Sequence, residues 1–135
     1  MRILIVDDSI DSRRLLIKYL STVGQCDVAT DGKEAVRAVQ RSHEKNEPYD
    51  IIILDILMPN MDGHKALSEI RKLEESEDNQ LKGSAKIIMA TVLYDKKNVM
   101  AAIKGLCDAY LLKPFNKNAL FEKLEELGVV YPIVP

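Results

Sequence analysis

Acidic residues follow two of the apolar segments in this sequence of 135 residues. Asp7 and Asp8 follow the segment RILIV, and Asp55 follows the segment IIIL. Carboxylates that lie close together repel one another, so a group of them destabilises a fold unless a cation offsets the charge. Oxygen ligands without histidine or thiolate suit a hard ion such as Mg²⁺. If the fold brings these acids together, the sequence therefore predicts a magnesium site.

Polar residues also follow two apolar segments in the second half of the chain. Thr91 follows KIIMA, and Lys113 follows AYLL. Taken alone, each is an ordinary strand threonine or surface lysine. Because they share with the acids a place at the end of an apolar segment, we predict that a hydroxyl and an ammonium join the same site.

Short apolar runs alternate with longer amphipathic stretches, and these elements must position the polar residues. We predict strands at residues 3–6, 26–29, 51–54, 86–90 and 109–112. Each strand is followed by apolar residues at the spacing of an amphipathic helix. These residues are Leu15, Leu16, Tyr19, Leu20 and Val23; Ala35, Val36 and Val39; Ala66, Leu67, Ile70 and Leu73; Val99, Ala102, Ile103 and Leu106; and Leu120, Phe121, Leu124 and Leu127.

Alternation at this spacing is typical of the α/β class, with a parallel sheet and helices on both of its faces. Because crossovers between parallel strands are right-handed, few topologies remain, and we predict the doubly wound order 2-1-3-4-5. This is a flavodoxin-like (βα)5 three-layer sandwich. Strands one and three are neighbours in this order, so Asp7, Asp8 and Asp55 meet at the carboxyl edge of the sheet. Thr91 and Lys113 arrive at the same edge.

Several glycines and acids have predicted local roles. We expect Gly24 and Gly128 to end the first and last helices, and Asp31 to cap the second helix. Gly63 fits a turn that needs a positive φ. Asp62 fits a turn or a helix cap and not a fourth acidic ligand.

The histidines and cysteines have no predicted chemistry. His43 and His64 lie in polar helical surroundings, and we expect them to be solvated. Cys26 and Cys107 lack the spacing of a zinc site or a redox pair. In the predicted strand order they lie at opposite edges of the sheet, too far apart for a disulfide.

Composition and length disfavour several classes of protein. The formal net charge is −2 and no basic run appears, which argues against nucleic-acid binding. No apolar segment is long enough to span a membrane and no signal-peptide pattern is present, so we expect no membrane partner and a cytoplasmic location. We predict one domain at residues 1–128 and a short tail at residues 129–135, with no output domain.

Four motifs together resemble a response-regulator receiver domain of the CheY-like kind. They are the acidic pair in IVDDS, the acid in ILDILMPNMDG, the hydroxyl in MAT and the lysine in YLLKPF. One such motif is weak, but four in this order, each at the end of a strand, are specific. The resemblance covers the chain from Arg2 to about Gly128.

The resemblance implies a role for each acid. Asp55 would accept a phosphoryl group from a phosphohistidine of a sensor histidine kinase or a phosphotransfer protein. Asp8 would bind Mg²⁺ directly and Asp7 mainly through water, while the backbone carbonyl of Leu57 would supply a third protein oxygen. Such a domain is a Mg²⁺-dependent self-phosphorylating phosphoacceptor and autophosphatase rather than a turnover enzyme.

The other implied roles concern the response to phosphorylation. Thr91 and Lys113 would hold the phosphoryl oxygens, and Tyr110 occupies the position of the aromatic switch residue. The bond between Lys113 and Pro114 would be cis. Output would come from binding another protein through the face made by the fourth helix, the fifth strand and the fifth helix.

Three alternatives share parts of this pattern. A flavin binder of the same sheet order needs small hydroxyl and glycine residues after strand one, where this chain has DDSID. A haloacid-dehalogenase-like phosphatase has a second acid two residues after its nucleophile, where this chain has Leu57. The more serious alternative is a receiver-like interaction module that is never phosphorylated. The intact acids, Thr91 and Lys113 weigh against it.

The types of the side chains near Asp55 lead to a prediction of how fast a phosphoryl group on Asp55 is hydrolysed. Hydrolysis needs a water in line with the P–O bond opposite Asp55, and in this fold Leu57 and Leu93 would flank its approach. Leucine offers no donor or acceptor to orient that water, and Val92 adds bulk nearby. We therefore predict hydrolysis slowed ~10–100-fold, by analogy with general-base contributions of about 10²–10⁴.

The test is to label the protein with phosphoramidate, remove the donor and follow the decay of the label. The wild type should lose its label more slowly than a Leu57→Asn, Leu93→Glu double variant. Decay of the wild type at an equal or faster rate would contradict the prediction.

Overall fold

The computed structural model describes residues 1–56, 58, 60–76, 83–92 and 106–130. Its sheet has five parallel strands in the order β2-β1-β3-β4-β5, which confirms the predicted fold class and topology. The strands are β1 (Arg2–Val6), β2 (Gln25–Ala29), β3 (Ile51–Asp55), β4 (Lys86–Thr91) and β5 (Ala109–Leu112). Every strand begins and ends within one residue of its predicted bounds.

The described helices follow the strands as the apolar spacing predicts. They are α1 (Ile10–Leu20), α2 (Gly32–Glu44), α3 (Gly63–Glu75) and a C-terminal helix (Lys117–Glu126). The helix predicted over Val99, Ala102 and Ile103 lies outside the described residues. None of the described helices combines the length and the apolar character that crossing a membrane requires.

Two apolar cores cover the two faces of the sheet. Successive side chains of a strand point to opposite faces. Leu4 and Val6 therefore pack in the core beneath α2 and α3, while Ile3 and Ile5 pack in the core beneath α1 and the C-terminal helix. One strand therefore contributes apolar side chains to both cores, as expected for a strand of a parallel sheet that is buried on both faces.

The pairing of the central strands sets the position of the acids. Val6 pairs with Leu54, so the residues that follow them, Asp7 and Asp55, lie at the same level of the sheet. Asp55 itself pairs with Ala90 of β4. Thr91 is therefore one residue further along the same edge.

Arg71 of α3 forms hydrogen bonds with the segments that lead into β4 and β5. Its guanidinium donates to Glu74 at 2.7 Å, to the Ala85 carbonyl at 2.9 Å and to Asp108 at 2.9 Å. Its Nε donates to the Leu106 carbonyl at 2.7 Å. Because the buried Glu74 carboxylate is paired and also accepts from the Ala85 N–H, its burial is compensated. The start of β5 is thus tied to α3.

The predicted capping roles are confirmed. Asp31 and Asp62 cap α2 and α3, accepting hydrogen bonds from the backbone N–H groups of Glu34 and Lys65. Gly128 follows the C-terminal helix with a φ of 75°, a conformation that glycine adopts readily.

The predictions for Gly24 and Gly63 are wrong. α1 ends at Leu20, before Gly24, and neither glycine has a positive φ. A Cβ at Gly24 would meet the backbone of Met1, and a Cβ at Gly63 would meet the backbone of Asp55. Both positions need glycine because another backbone segment passes close by.

The prediction that the histidines are solvated is also wrong. His43, in α2, is only 3% exposed. The Nε2 atom of His64 is buried, and in the described part of the chain it has no hydrogen-bond partner.

The prediction that the cysteines do not pair is confirmed. Cys26 lies in β2 and Cys107 just before β5, at opposite edges of the sheet, and both thiols are free. Burial raises the pKa of both thiols, which makes them less reactive at neutral pH.

Candidate functional site

The three predicted acids meet at the carboxyl edge of the sheet. Asp7, Asp8 and Asp55 each offer a carboxylate oxygen, and these oxygens lie within 4.8 Å of one another. Asp7 is 1% exposed and Asp55 is 7% exposed, whereas Asp8 is open to solvent. The group therefore has two buried carboxylates and one that solvent reaches.

Local hydrogen bonds orient Asp7 at the end of β1. Its N–H donates to the Ala29 carbonyl at 3.1 Å, which continues the pairing of β1 with β2. Its Oδ1 accepts from the N–H of Ser9 at 2.9 Å. Ser9 is the N-cap of α1, so the turn from strand to helix also fixes the Asp7 side chain. The Asp7 carbonyl accepts from Arg13 at 2.9 Å.

Lys113 brings an ammonium group into the acidic site. Its Nζ lies 2.6 Å from Asp7 Oδ2 and 3.6 Å from Asp55 Oδ2. Its backbone N–H donates to the Thr91 carbonyl at 2.8 Å, so β4 holds the lysine at this edge. The bond from Lys113 to Pro114 is cis, as the resemblance implies.

The donor set of this site fits Mg²⁺. It consists of carboxylate oxygens, with no sulfur or imidazole among them, and hard oxygen ligands suit this ion. One ammonium does not offset the charge of three carboxylates, so the site favours a further cation. Asp7, Asp8 and Asp55 are the side chains in a position to hold it. The predicted carbonyl ligand, Leu57, lies outside the described residues.

The other predicted residues lie beside the acids or outside the described part. Thr91 ends β4 and is fully buried. Tyr110 of β5 is half-buried; its hydroxyl oxygen is buried without a hydrogen-bond partner in the described part, and desolvation raises its pKa. Val92 is 49% exposed. Leu93, like Leu57, is not among the described residues.

An apolar groove that no sequence pattern predicts adjoins the acids. Its volume is about 230 Å³. Leu15 and Leu16 of α1 line the groove, together with Val92, Lys113, Pro114 and Phe115. The helical spacing of α1 places Leu15 among the core residues, but Leu15 is 44% exposed. Only the folded structure distinguishes it from the buried Leu16.

Comparison with known proteins identifies a family that this chain matches. A family model described as the response regulator receiver domain matches residues 3–125. The chain is 35% identical over 129 residues to a chemotaxis protein CheY homolog of Campylobacter jejuni, covering 94% of this chain and 92% of that protein. It is 34% identical over 127 residues to the probable transcriptional regulator ycf27 of Cyanophora paradoxa, covering 93% of this chain but 47% of that protein. The chain thus spans about half the length of that second relative.

Solved structures share the fold of this chain. One belongs to a CheX–CheY–BeF3–Mg²⁺ complex from Borrelia burgdorferi, with a TM-score of 0.81 and 26% identity, covering 96% of this chain and 90% of that one. Another is the response regulator TrrA from Thermotoga maritima in complex with Mg²⁺ and BeF, with a TM-score of 0.71 and 33% identity, covering 93% and 97% of the two chains. Two similar structures are thus magnesium complexes.

The charge of the acidic group leads to a prediction about stability. An ion that binds the folded site better than the unfolded chain stabilises the fold, so excess Mg²⁺ should raise the thermal midpoint of the wild type by several degrees. Asp8→Asn should lose most of this rise. Asp11→Asn is the matched control, since Asp11 is an exposed acid in the first turn of α1, outside the acidic group.

The measurement is thermal unfolding followed by circular dichroism, with and without Mg²⁺. An equal rise in the Asp8→Asn variant, or no rise in the wild type, would show that these carboxylates do not hold the ion.

Proposed function

This chain belongs to the response regulator receiver domain family, and we propose that its Asp55 accepts a phosphoryl group from a phosphohistidine. The donor is a sensor histidine kinase or a phosphotransfer protein of a two-component system. The observation that carries the proposal is the arrangement around Asp55. Its carboxylate is buried beside two further carboxylates, and the ammonium of Lys113 lies 3.6 Å away.

The transfer follows from the groups at the site. A carboxylate oxygen of Asp55 attacks phosphorus, the P–N bond breaks and the histidine nitrogen keeps the electron pair. The product is an acyl phosphate. A carboxylate and an anionic phosphoryl group repel one another, and bound Mg²⁺ would supply the charge that offsets this repulsion.

Each neighbouring residue has a separate task in this proposal. Asp7, Asp8 and Asp55, with the backbone carbonyl of Leu57, would hold the metal ion. Lys113 acts as a point charge for the phosphoryl oxygens. The Thr91 hydroxyl donates a hydrogen bond to a phosphoryl oxygen, as charge-assisted bonds of this kind are strong. The domain then removes the group by its own slow hydrolysis.

Output in this proposal is the binding of a target protein. Movement of Thr91 toward the phosphoryl group opens space for Tyr110, which makes a two-state element. Tyr110 is well placed for this because it is in β5, whose residue Leu112 pairs with Thr91. The output face comprises β5, the C-terminal helix and the predicted helix before β5, which lies outside the described residues.

The apolar groove beside Lys113 suggests where the donor docks. A donor must bring its phosphohistidine to Asp55, and Lys113 belongs to both the groove and the acidic site. Docked there, the donor would cover the exposed side chains of Leu15 and Val92, which are 44% and 49% exposed. We propose that helices of the donor protein pack into this groove.

The acceptor assignment has a direct test. Asp55→Asn should abolish labelling by acetyl phosphate, because an amide is not a nucleophile for this transfer. Asp62→Asn is the matched control: it makes the same change at the N-cap of α3, at the end of the segment that follows Asp55, and asparagine also caps helices. Mass spectrometry of the labelled protein measures both.

Two outcomes would decide against the proposal. Full labelling of Asp55→Asn would exclude Asp55 as the acceptor. Failure of the wild type to label with Mg²⁺ present would favour the receiver-like module that is never phosphorylated.

Docking in the groove predicts a difference between protein and small-molecule donors. Leu15→Ala should slow transfer from a phosphorylated histidine phosphotransfer protein about fivefold to tenfold, since it removes an apolar anchor. Labelling by acetyl phosphate should not change. Ile17→Ala is the control, because Ile17 is also exposed on α1, at 37%, but does not line the groove. Equal slowing by both variants would contradict docking in the groove.

A further inference from the structure

The segment that follows Asp55 is attached to the N-terminus of α2. Asn60 Nδ2 donates to Asp31 Oδ2 at 3.0 Å. The other oxygen of the same carboxylate, Oδ1, accepts from the N–H of Glu34 at 2.8 Å. Asp31 therefore caps α2 and binds the segment after the acceptor at the same time. These two hydrogen bonds lower the pKa of Asp31, the bond from Glu34 more than the bond from Asn60.

A second contact lies next to the first. Gly32 is buried, and a Cβ there would meet the carbonyl oxygen of Met61 and lie 2.9 Å from Met61 Cβ and Cγ. Its φ is not positive, so the backbone conformation does not require glycine. Alanine would be the better residue for a helix. The glycine at this position is therefore explained by the close approach of Met61.

The same segment is held at its other end by the acceptor strand. Gly63 donates its N–H to the Ile56 carbonyl at 2.9 Å. A Cβ at Gly63 would meet the Asp55 carbonyl oxygen and lie 2.7 Å from Ile56 Cα. Asn60, which makes the bond to Asp31, has a φ of 68°, a left-handed conformation that asparagine tolerates better than most residues. Residues 60–63 thus lie between α2 and the end of β3.

We propose that Asp31, Gly32 and Asn60 are positioning residues for phosphoryl transfer. They hold the segment after Asp55 against the N-terminus of α2. In this way they fix the geometry in which the carboxylate oxygens of Asp55 would meet Mg²⁺. The effect on Mg²⁺ binding rests on the proposed function, whereas the attachment of Asn60 to Asp31 does not. A role of Asp31 as a helix cap alone accounts for its bond to Glu34 and leaves its bond to Asn60 unexplained.

Two single variants separate positioning from capping. Asp31→Ser keeps a residue that caps helices but has a side chain too short to bind both partners. Asn60→Gly keeps the left-handed conformation and removes the donor. Both should weaken Mg²⁺ binding by about tenfold, as loss of a supporting contact behind a metal ligand does. Isothermal titration calorimetry with MgCl₂ measures the affinity.

A double variant tests whether the bond itself matters. Asp31→Asn with Asn60→Asp reverses the donor and the acceptor and leaves the net charge unchanged. The asparagine Oδ1 still caps α2, and its Nδ2 donates to the new aspartate. This variant should bind Mg²⁺ within about twofold of the wild type if the bond is what positions the segment. Affinity as low as in the single variants would overturn the proposal.

Gly32→Ala tests the second contact. It should weaken Mg²⁺ binding although alanine favours the helix. Lys33→Ala is the matched control, since it adds no contact and Lys33 is exposed at the next position of α2. Wild-type affinity in Gly32→Ala would overturn the role of this glycine.

A metal-free measurement distinguishes this proposal from the proposed function. Hydrogen exchange of the Gly63 N–H, which bonds to Ile56, should be faster in both single variants and normal in the double variant. If the wild type binds no Mg²⁺, the proposed function is wrong, yet this pattern still supports the attachment. Unchanged exchange in both single variants would show that the attachment does not hold the segment.

Discussion

Repulsion among the carboxylates of Asp7, Asp8 and Asp55 is the constraint on which the rest of the structure depends. Two of the three are buried, at 1% and 7% exposure, and a buried charge is costly unless it is paired. β1 and β3 hold these acids because each is paired with a strand on both sides and covered by a core on both faces. Lys113, which follows the edge strand β5, supplies part of the compensating charge, one positive charge against three carboxylates.

The parts of this arrangement that repeat along the chain could be predicted from sequence. Strand order follows from the alternation of apolar runs and from handedness, and it alone brings Asp7 beside Asp55. Close approaches between distant segments leave no such pattern. The sequence predicts Gly24 at a helix end and Gly63 in a turn, because glycine is common where φ is positive. In the structure, the backbones of Met1 and Asp55 pass too close to these positions to leave room for a Cβ. The burial of His43 and the bond from Asn60 to Asp31 depend in the same way on how α2 sits against its neighbours.

Tyr110 is bound differently from the acids. Its buried hydroxyl has no hydrogen-bond partner among the described residues, and leaving such a group unpaired costs about 1–3 kcal/mol. Its ring packs against the core beneath α2 and α3. Packing therefore holds the ring in this position, while the hydroxyl opposes it. In the proposed function, a side chain held by packing but with an unsatisfied hydroxyl would respond to a shift of Thr91 nearby.

Lys113 connects these regions because this one residue makes three kinds of contact. Its ammonium pairs with Asp7 at 2.6 Å and lies 3.6 Å from Asp55, its backbone bonds to Thr91, and it lines the apolar groove. In the proposed function, a phosphoryl group on Asp55 would add negative charge at the more distant of the two acids and would draw the ammonium away from Asp7. The ammonium that pairs with Asp7 in the unmodified site would then be the group that responds to modification of Asp55. For this reason a lysine, a mobile point charge, suits the position better than an arginine, whose planar fork would favour one fixed pairing.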